Sequence, residues 1–416
     1  MNNKRGITLV ALVITIVILL ILAGISIIEL TKTGVLKNAE LAKEEYKKSV
    51  KKEQNDLNKI NEYIKWLKYE IAEVGIGNRM DFENGQDKLA IIDTIYIGGG
   101  TPSLVESNYI KEILQTVRAN FTIKDDAEIT IEINPGTVDE NKLKDYMESG
   151  INRLSIGLQS TNNDLLKSIG RIHTYSEFEE VIQSARKIGF NNINADLMIG
   201  LPNQTLQDVK ESLKKLISYN LEHISVYSLI VEEGTPMFED VENKKVMLPP
   251  DELEREMYWT VKRLLEQNGY KHYEISNFAK PSFESKHNIH CWEQNEYIGM
   301  GVAAHSYTND TRYSNIDTIE EYIENYKNGK QVENFVFHEK QDKSSKMNEY
   351  MILGLRKIDG VEIQKFKAKF GENPIYIYHK ELEKLVNENL IEIDGDIIKL
   401  TNKGLDLANL VWEEFV

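Results

Sequence analysis

The sequence predicts an α/β protein built on a parallel sheet or barrel. Apolar, strand-like runs recur from residue 94 onward, and amphipathic stretches such as 109–117 and 179–189 separate them. Strands and helices that alternate at roughly thirty-residue intervals indicate βαβ units, and these units form parallel sheets. The runs are TIYI (94–97), EITIEI (128–133), RLSIGL (153–158), INADLMI (193–199) and HISVYSLI (223–230).

Polar or glycine residues stand at the end of each predicted strand. Because ligands of parallel α/β folds bind at the carboxyl ends of the strands, we expect these residues to share one rim. Each has a plainer interpretation, since a glycine run often forms a turn and a strand-end carboxylate often caps the next helix. Five together favour a ligand site: GGGT (98–101), Glu132 with Asn134, Gln159 with Ser160, Asp196 with GLP (200–202), and Tyr227 with Ser228.

The composition limits the kinds of ligand. The 416 residues carry a formal net charge of -16, which argues against a nucleic-acid surface because phosphate contacts require clustered Lys and Arg. The only cysteine is Cys291, so the chain can form no intrachain disulfide and no site that needs several thiolates. Small molecules or protein partners are therefore the expected ligands.

An uncharged apolar stretch at residues 7–28 precedes this body. As a helix it would span roughly 33 Å, which is membrane length, and with Lys4 and Arg5 before it the segment resembles a type IV pilin-like leader. Ala11 replaces the glutamate usual in such leaders, and a cleaved signal peptide is the alternative. The lysines that follow the span favour a cytoplasmic body tethered to the inner face of the membrane, whereas pilin-like insertion would place it outside.

Seven motifs recur along the body of the chain: DTIYIGGGTPS (93–103), EINPGT (132–137), INRLSIGLQS (151–160), GRIHT (170–174), INADLMIGLP (193–202), YEISNFAKP (273–281) and HNIHCW (287–292). In this order they resemble the radical S-adenosylmethionine (SAM) family that contains oxygen-independent coproporphyrinogen III oxidase and the haem chaperone HemW. The resemblance implies an open (β/α)6 barrel, here a partial barrel without its first strand, followed by a small helical, winged-helix-like C-terminal domain.

The resemblance also predicts a division of the chain into five segments. These are a leader helix at 1–30, a Lys-rich connector at 31–55, a radical-SAM-like barrel at 56–245, a HemW-like extension at 246–335 and a C-terminal domain at 336–416.

The family pattern assigns two sets of cofactor contacts. HNIHCW is similar to the HemW-type haem motif, so His287 is the candidate haem contact, with His290 and Cys291 as weaker candidates. An ordinary hydrogen-bonded loop histidine remains the alternative for His287. For S-adenosylmethionine, the matching positions are Gly99, Gly100, Thr101, Glu132, Gln159, Arg171 and Asp196.

The family's [4Fe-4S] cluster ligands are missing. The family holds its cluster with three cysteines in C-x3-C-x2-C ahead of a helix that should begin near residue 58, and residues 47–63 contain no cysteine. The leader and connector stand where the first strand and cluster loop should be, as though two genes, or two pieces of a gene model, had been joined. Radical chemistry by this chain is therefore not expected.

Three functions follow from these patterns. The first is a HemW-like haem chaperone that passes haem to an acceptor protein and lacks cluster-dependent chemistry. The second is oxygen-independent coproporphyrinogen III oxidase in porphyrin biosynthesis, which needs the cluster. The third is an inactive fusion remnant with a pilin-like membrane anchor.

Overall fold

Seven strands form the main sheet of the protein. The computed structural model describes residues 57–77 and 89–416. The strands are β1 (Ile91–Ile97), β2 (Thr122–Ile133), β3 (Arg153–Gln159), β4 (Ile193–Ile199), β5 (His223–Ser228), β6 (Lys271–Glu274) and β7 (Asn277–Ala279). Their order is β1-β2-β3-β4-β5-β7-β6, with β1 to β5 parallel and the last two antiparallel. The predicted parallel α/β sheet is confirmed, and β1 is an end strand among the described residues.

Helices cover one face of this sheet. Side chains of the helices after β1, β2, β3, β4 and β5 share one apolar core with the strands, including Leu114, Tyr146, Phe178, Leu213 and Val261. The helices of this part are α1 (57–77), α2 (Ser107–Asn120), α3 (Glu140–Glu148), α4 (Asn163–Ser168), α5 (Tyr175–Ile188), α6 (Leu206–Ser218), α7 (Pro236–Glu242) and α8 (Asp251–Gln267).

Local sequence fixes where several of these helices begin and end. Thr174 and Glu177 form a capping box at the start of α5, and Thr205 and Asp208 do the same for α6. Helix α5 ends at Gly189, whose φ of +117° is readily adopted only by glycine. These signals set the lengths of the crossovers that bring successive strands into parallel pairing.

Apolar side chains alternate with polar or glycine residues at most positions of the parallel strands, with Met198 of β4 as an exception. In β2, Ile129, Ile131 and Ile133 belong to the helix-covered core, while Glu128 and Glu132 point to the opposite face. The same period of two runs through β3, β4 and β5. One face of the sheet is therefore packed against helices, and the other carries polar groups at every parallel strand.

The rest of the chain forms two smaller antiparallel sheets. The first contains β8 (His305–Thr308), β9 (Thr311–Asn315) and β10 (Phe335–Lys340) in the order β10-β9-β8. The second contains β11 (Val361–Glu362), β12 (Ile391–Asp394) and β13 (Ile397–Leu400) in the order β11-β13-β12. A separate apolar core that includes Phe366, Leu385 and Val411 surrounds the second sheet.

The helices of this half complete the predicted C-terminal pattern. Helix, strand, strand and helix follow one another as α14, β12, β13 and α15, as the winged-helix-like prediction requires. The helices are α9 (Lys286–Trp292), α10 (Ile319–Lys327), α11 (Lys343–Gly354), α12 (Ile363–Phe370), α13 (Pro374–Ile377), α14 (His379–Asn387), α15 (Asn402–Asp406) and α16 (Ala408–Glu413).

The predicted membrane span at residues 7–28 lies outside the described residues. Within residues 57–77 and 89–416, no helix combines the length and the apolar character that crossing a bilayer requires.

Candidate functional site

The glycine run after β1 forms a turn, and the local geometry favours glycine at each of its three positions. A Cβ on Gly98 would lie 2.5 Å from Tyr96 Cε1 and 2.9 Å from Glu132 Cδ, so no side chain fits there. Gly99 and Gly100 have φ of +83° and +60° with open space around them. Thr101 then begins a short 3-10 turn. The run leaves bare backbone at the carboxyl end of β1, as the sequence predicts.

Glu132 is held at this turn by two hydrogen bonds. The Tyr96 hydroxyl donates to Glu132 Oε1 at 2.8 Å, and the Gly99 N–H donates to Oε2 at 3.0 Å. Burial raises the pKa of Tyr96, so its phenol keeps the proton that it donates. The carboxylate is therefore fixed in place beside the bare backbone.

Asp196 lies on the same polar face, two strands away. Asn194 Nδ2 donates to Asp196 Oδ1 at 2.7 Å and also lies 2.8 Å from Ser155 Oγ. Burial is the largest influence on Asp196 and raises the pKa of its carboxyl to about 6. Because an unfolded aspartate has a pKa of about 3.9, this group lowers folding stability as the pH rises from about 4 through about 6. Such a cost is typical of functional carboxylates.

Gln159 is the last residue of β3, and Arg171 follows α4. Gln159 ends β3 with a φ of +63° at an irregularity of the β3–β4 pairing, where it lies opposite Leu197. A buried non-glycine residue in this region is strained, and such strain clusters at functional sites. Arg171 is half-buried beyond α4. Burial raises the pKa of Tyr227, and the charge of Arg171 reduces that rise.

A polar cavity of about 200 Å³ joins the strands of this face. Of the positions predicted to bind S-adenosylmethionine, Glu132 and Asp196 line the cavity. Gly99 does not line it but donates its N–H to Glu132. Gly100, Thr101, Gln159 and Arg171 are not among its lining residues. Sequence reasoning missed most of the lining, which includes Tyr96, Arg153, Ser155, Asn194, Ser225, Asn277 and Asn288.

His287 lies beside this cavity at the start of α9. Glu128 of β2 accepts from the backbone N–H groups of Lys286 and His287, each at 3.1 Å, and so fixes the start of the helix against the sheet. The imidazole stacks on Tyr96 with ring centroids 5.1 Å apart, and Nδ1 lies 3.0 Å from Thr94 Oγ1. Helix α9 therefore packs on β1, the end strand of the sheet.

The ring of His287 is suited to bind a metal through Nε2. Burial is the main cause that lowers its pKa, so the imidazole stays neutral near pH 7. When Nδ1 donates to Thr94, the lone pair is on Nε2, which accepts or donates no hydrogen bond within the described part of the chain.

The two weaker candidates in the same motif are less suitable. His290 Nε2 lies 3.0 Å from the Glu296 carbonyl and is engaged there. Burial raises the pKa of the Cys291 thiol, which disfavours the thiolate that ligates iron. Among the residues of this motif, His287 presents the most suitable ligand atom.

The residues do not fit an iron–sulfur cluster. A [4Fe-4S] cluster is held by cysteine thiolates, and the chain has one cysteine. Among the described residues, no group of three or more His, Cys, Asp or Glu side chains is arranged to hold a metal ion.

Family models match three parts of the chain. Residues 81–216 match the Radical SAM superfamily, residues 341–407 match the HemN C-terminal domain and residues 1–27 match the prokaryotic N-terminal methylation motif. The parallel sheet with its polar face and the C-terminal three-stranded module thus define a radical-SAM-type half-barrel protein.

Curated relatives narrow this class. The haem chaperone HemW of Lactococcus lactis is 37% identical over 323 residues, covering 78% of this chain and 84% of the relative. The HemW of Bacillus subtilis is also 37% identical, over 328 residues, covering 78% of this chain and 86% of the relative. The chain belongs to the HemW family of radical SAM proteins.

A solved structure supports the same fold. Coproporphyrinogen III oxidase (HemN) from Escherichia coli, a radical SAM enzyme, superposes with a TM-score of 0.72 at 22% identity, covering 85% of this chain and 82% of the other. The predictions of a partial radical SAM barrel with a C-terminal domain, and of membership in this family, are confirmed.

Proposed function

We propose that this chain binds haem at His287 and passes it to an acceptor protein, without cluster-dependent radical chemistry of its own. The observation that carries the proposal is the neutral, stacked imidazole of His287, whose Nδ1 is engaged by Thr94 and whose Nε2 remains available. The family's haem chaperones at 37% identity support it. The oxidase alternative requires a cluster for which the cysteines are missing.

Haem titration tests this proposal. The wild-type chain is expected to shift the Soret band with saturation, and His287→Ala is expected to weaken binding at least tenfold because the axial nitrogen is lost. Since burial lowers the pKa of His287, binding should persist at pH 6.5, where an ordinary histidine is half protonated.

His290→Ala and Cys291→Ser are the matched controls. Both residues lie on the same helix, and both variants should keep the wild-type affinity. Equal weakening by all three substitutions, or no Soret shift in the wild type, would contradict the proposal.

The cavity itself is proposed to retain S-adenosylmethionine binding. Glu132 and Asp196 would meet the cationic and hydroxyl groups of that ligand, the bare backbone of Gly99, Gly100 and Thr101 would contact its methionine part, and Gln159 and Arg171 would complete the rim. S-adenosylmethionine bound here would not be cleaved reductively, because the chain lacks the cysteines that hold the electron-donating cluster.

The pH dependence of S-adenosylmethionine affinity tests the role of Asp196. With a pKa of about 6, Asp196 is ionised at pH 7 and about nine-tenths protonated at pH 5, so affinity should fall about tenfold between these values. Isothermal titration across this range measures the change. Asp196→Asn should bind more weakly at pH 7 and show a flat profile, and a break near pH 6 that survives in this variant would assign it to another group.

The leader is proposed to tether the protein to the inner face of the cell membrane, with the half-barrel in the cytoplasm. The match of residues 1–27 to the N-terminal methylation motif and the lysines that follow the span support a membrane-directed segment. The acceptor of haem would then meet the protein at that surface.

A further inference from the structure

Arg153 is a charged side chain placed deep in the half-barrel. It is the first residue of β3, lines the polar cavity and is only 2% exposed. Its neighbours along the same strand, Leu154 and Ile156, face the helix-covered core, so Arg153 and Ser155 face the cavity. An arginine this buried is uncommon unless an anion accompanies it.

Among residues 57–77 and 89–416, no carboxylate forms an ion pair with the Arg153 guanidinium within 4.0 Å, and its Nε has no hydrogen-bond partner. Thr130, its register neighbour on β2, is fully buried and its hydroxyl is also without a partner. An unpaired buried charge costs several kcal/mol, so an anion bound beside Arg153 would stabilise the protein.

Neither carboxylate of the cavity forms an ion pair with Arg153, although burial raises the pKa of Asp196 and the charge of Arg153 reduces that rise. Glu132 lies opposite Ser155, two residues above Arg153, and Asp196 lies opposite Gly157, four residues above it. At about 3.3 Å per residue, these offsets are about 7 and 13 Å along the strand. Glu132 is moreover held by Tyr96 and Gly99, and Asp196 by Asn194.

We propose that Arg153 is the carboxylate-binding residue of the cavity floor. A planar guanidinium binds a carboxylate through two parallel hydrogen bonds, and a volume of about 200 Å³ admits that group with a few carbons attached. This inference deepens the proposed function, on which it rests for the identity of the ligand. The carboxylate comes from a tetrapyrrole propionate, since the methionine part of S-adenosylmethionine is placed beyond the carboxyl end of β1, at Gly99, Gly100 and Thr101, whereas Arg153 begins β3.

Thermal unfolding in the presence of sodium propionate tests whether Arg153 binds a carboxylate, without using haem or S-adenosylmethionine. At constant ionic strength, saturating propionate should raise the Tm of the wild-type chain by about 2 °C, and the neutral isostere propionamide should not. Arg153→Gln should lose this response. Its own Tm should equal or exceed that of the wild type, because the substitution removes an unpaired buried charge.

Arg118→Gln is the control for the loss of one arginine. Arg118 lies on α2, on the helix-covered side of the sheet, where it donates to the Ser149 carbonyl. This variant should keep the propionate response. Equal responses in wild type and Arg153→Gln, or none in the wild type, overturn the proposal. So does a marked loss of Tm in Arg153→Gln, which would make Arg153 a structural residue.

Paired ligands then distinguish the two sources of the carboxylate. If the propionate of haem is bound, wild type should prefer haem to its dimethyl ester by about 10- to 100-fold, and Arg153→Gln should show no preference. A contrast between S-adenosylmethionine and its decarboxylated form that Arg153→Gln abolishes would assign the carboxylate to the methionyl end instead and overturn the proposal. No preference in either pair overturns the proposal, whereas a propionate response without haem binding refutes only the proposed haem function.

Discussion

Anaerobic incubation with iron and sulfide is expected to leave this protein without an iron–sulfur chromophore and without reductive cleavage of S-adenosylmethionine. The family's chemistry needs three cysteine thiolates on one cluster, and this chain supplies one cysteine. That residue, Cys291, is half-buried, and burial raises the pKa of its thiol. Visible absorbance, iron per chain and release of 5′-deoxyadenosine are the measurements, and all three should stay at background.

The reconstitution needs one positive and one matched control. The E. coli coproporphyrinogen III oxidase, a radical SAM enzyme, is the positive control and should gain cluster absorbance under the same conditions. Cys291→Ser removes the remaining thiol and should behave as the wild type does. Stoichiometric iron with cluster absorbance, retained in Cys291→Ser, would show that other side chains hold a cluster.

The fold was predictable because its signals are local. Each parallel strand is a short apolar run, and each crossover helix carries its own start signal, as Thr174 with Glu177 does for α5. The carboxyl ends of parallel strands lie at one edge of the sheet, so the sequence predicts that Glu132 and Asp196, although far apart in the chain, share a rim. Both line the same cavity.

Most of the cavity lining escaped prediction, although a usable signal was present. The prediction treats each strand as an apolar run, whereas Arg153, Ser155 and Gly157 alternate with Leu154, Ile156 and Leu158. A period of two in a parallel sheet means that only one face is covered by helices, whereas strands buried on both faces are apolar throughout. Reading that period would have placed Arg153 on the ligand face.

The surroundings of His287 could not be read from sequence. Its contacts Thr94 and Tyr96 lie almost two hundred residues earlier, and they meet it only because Glu128 holds the start of α9 against the sheet. Tyr96 contacts His287 through its ring and Glu132 through its hydroxyl. One side chain thus joins the candidate haem contact to the cavity wall.

Replacing Glu70 by leucine is expected to destabilise the protein by about 3–5 kcal/mol, because three donors would lose their acceptor. Glu70 of α1 is only 5% exposed, and it accepts from the Gly301 N–H at 2.7 Å, Asn315 Nδ2 at 2.7 Å and the Tyr322 hydroxyl at 2.6 Å. One carboxylate therefore connects α1 to the loop before β8, to β9 and to α10. Urea unfolding of the full chain, followed by circular dichroism, measures the change.

Two variants separate this network from a general effect of substitution on α1. Glu73→Leu, on the same helix, loses a long hydrogen bond of 3.4 Å from Gln331 and one with the exposed Tyr69 hydroxyl, and should cost less than about 1 kcal/mol. Tyr322→Phe leaves the carboxylate two of its three donors and also removes a hydrogen bond with Tyr326, so its cost should be intermediate. A wild-type urea midpoint for Glu70→Leu would mean that water replaces the carboxylate at all three donors and that this network does not stabilise the fold.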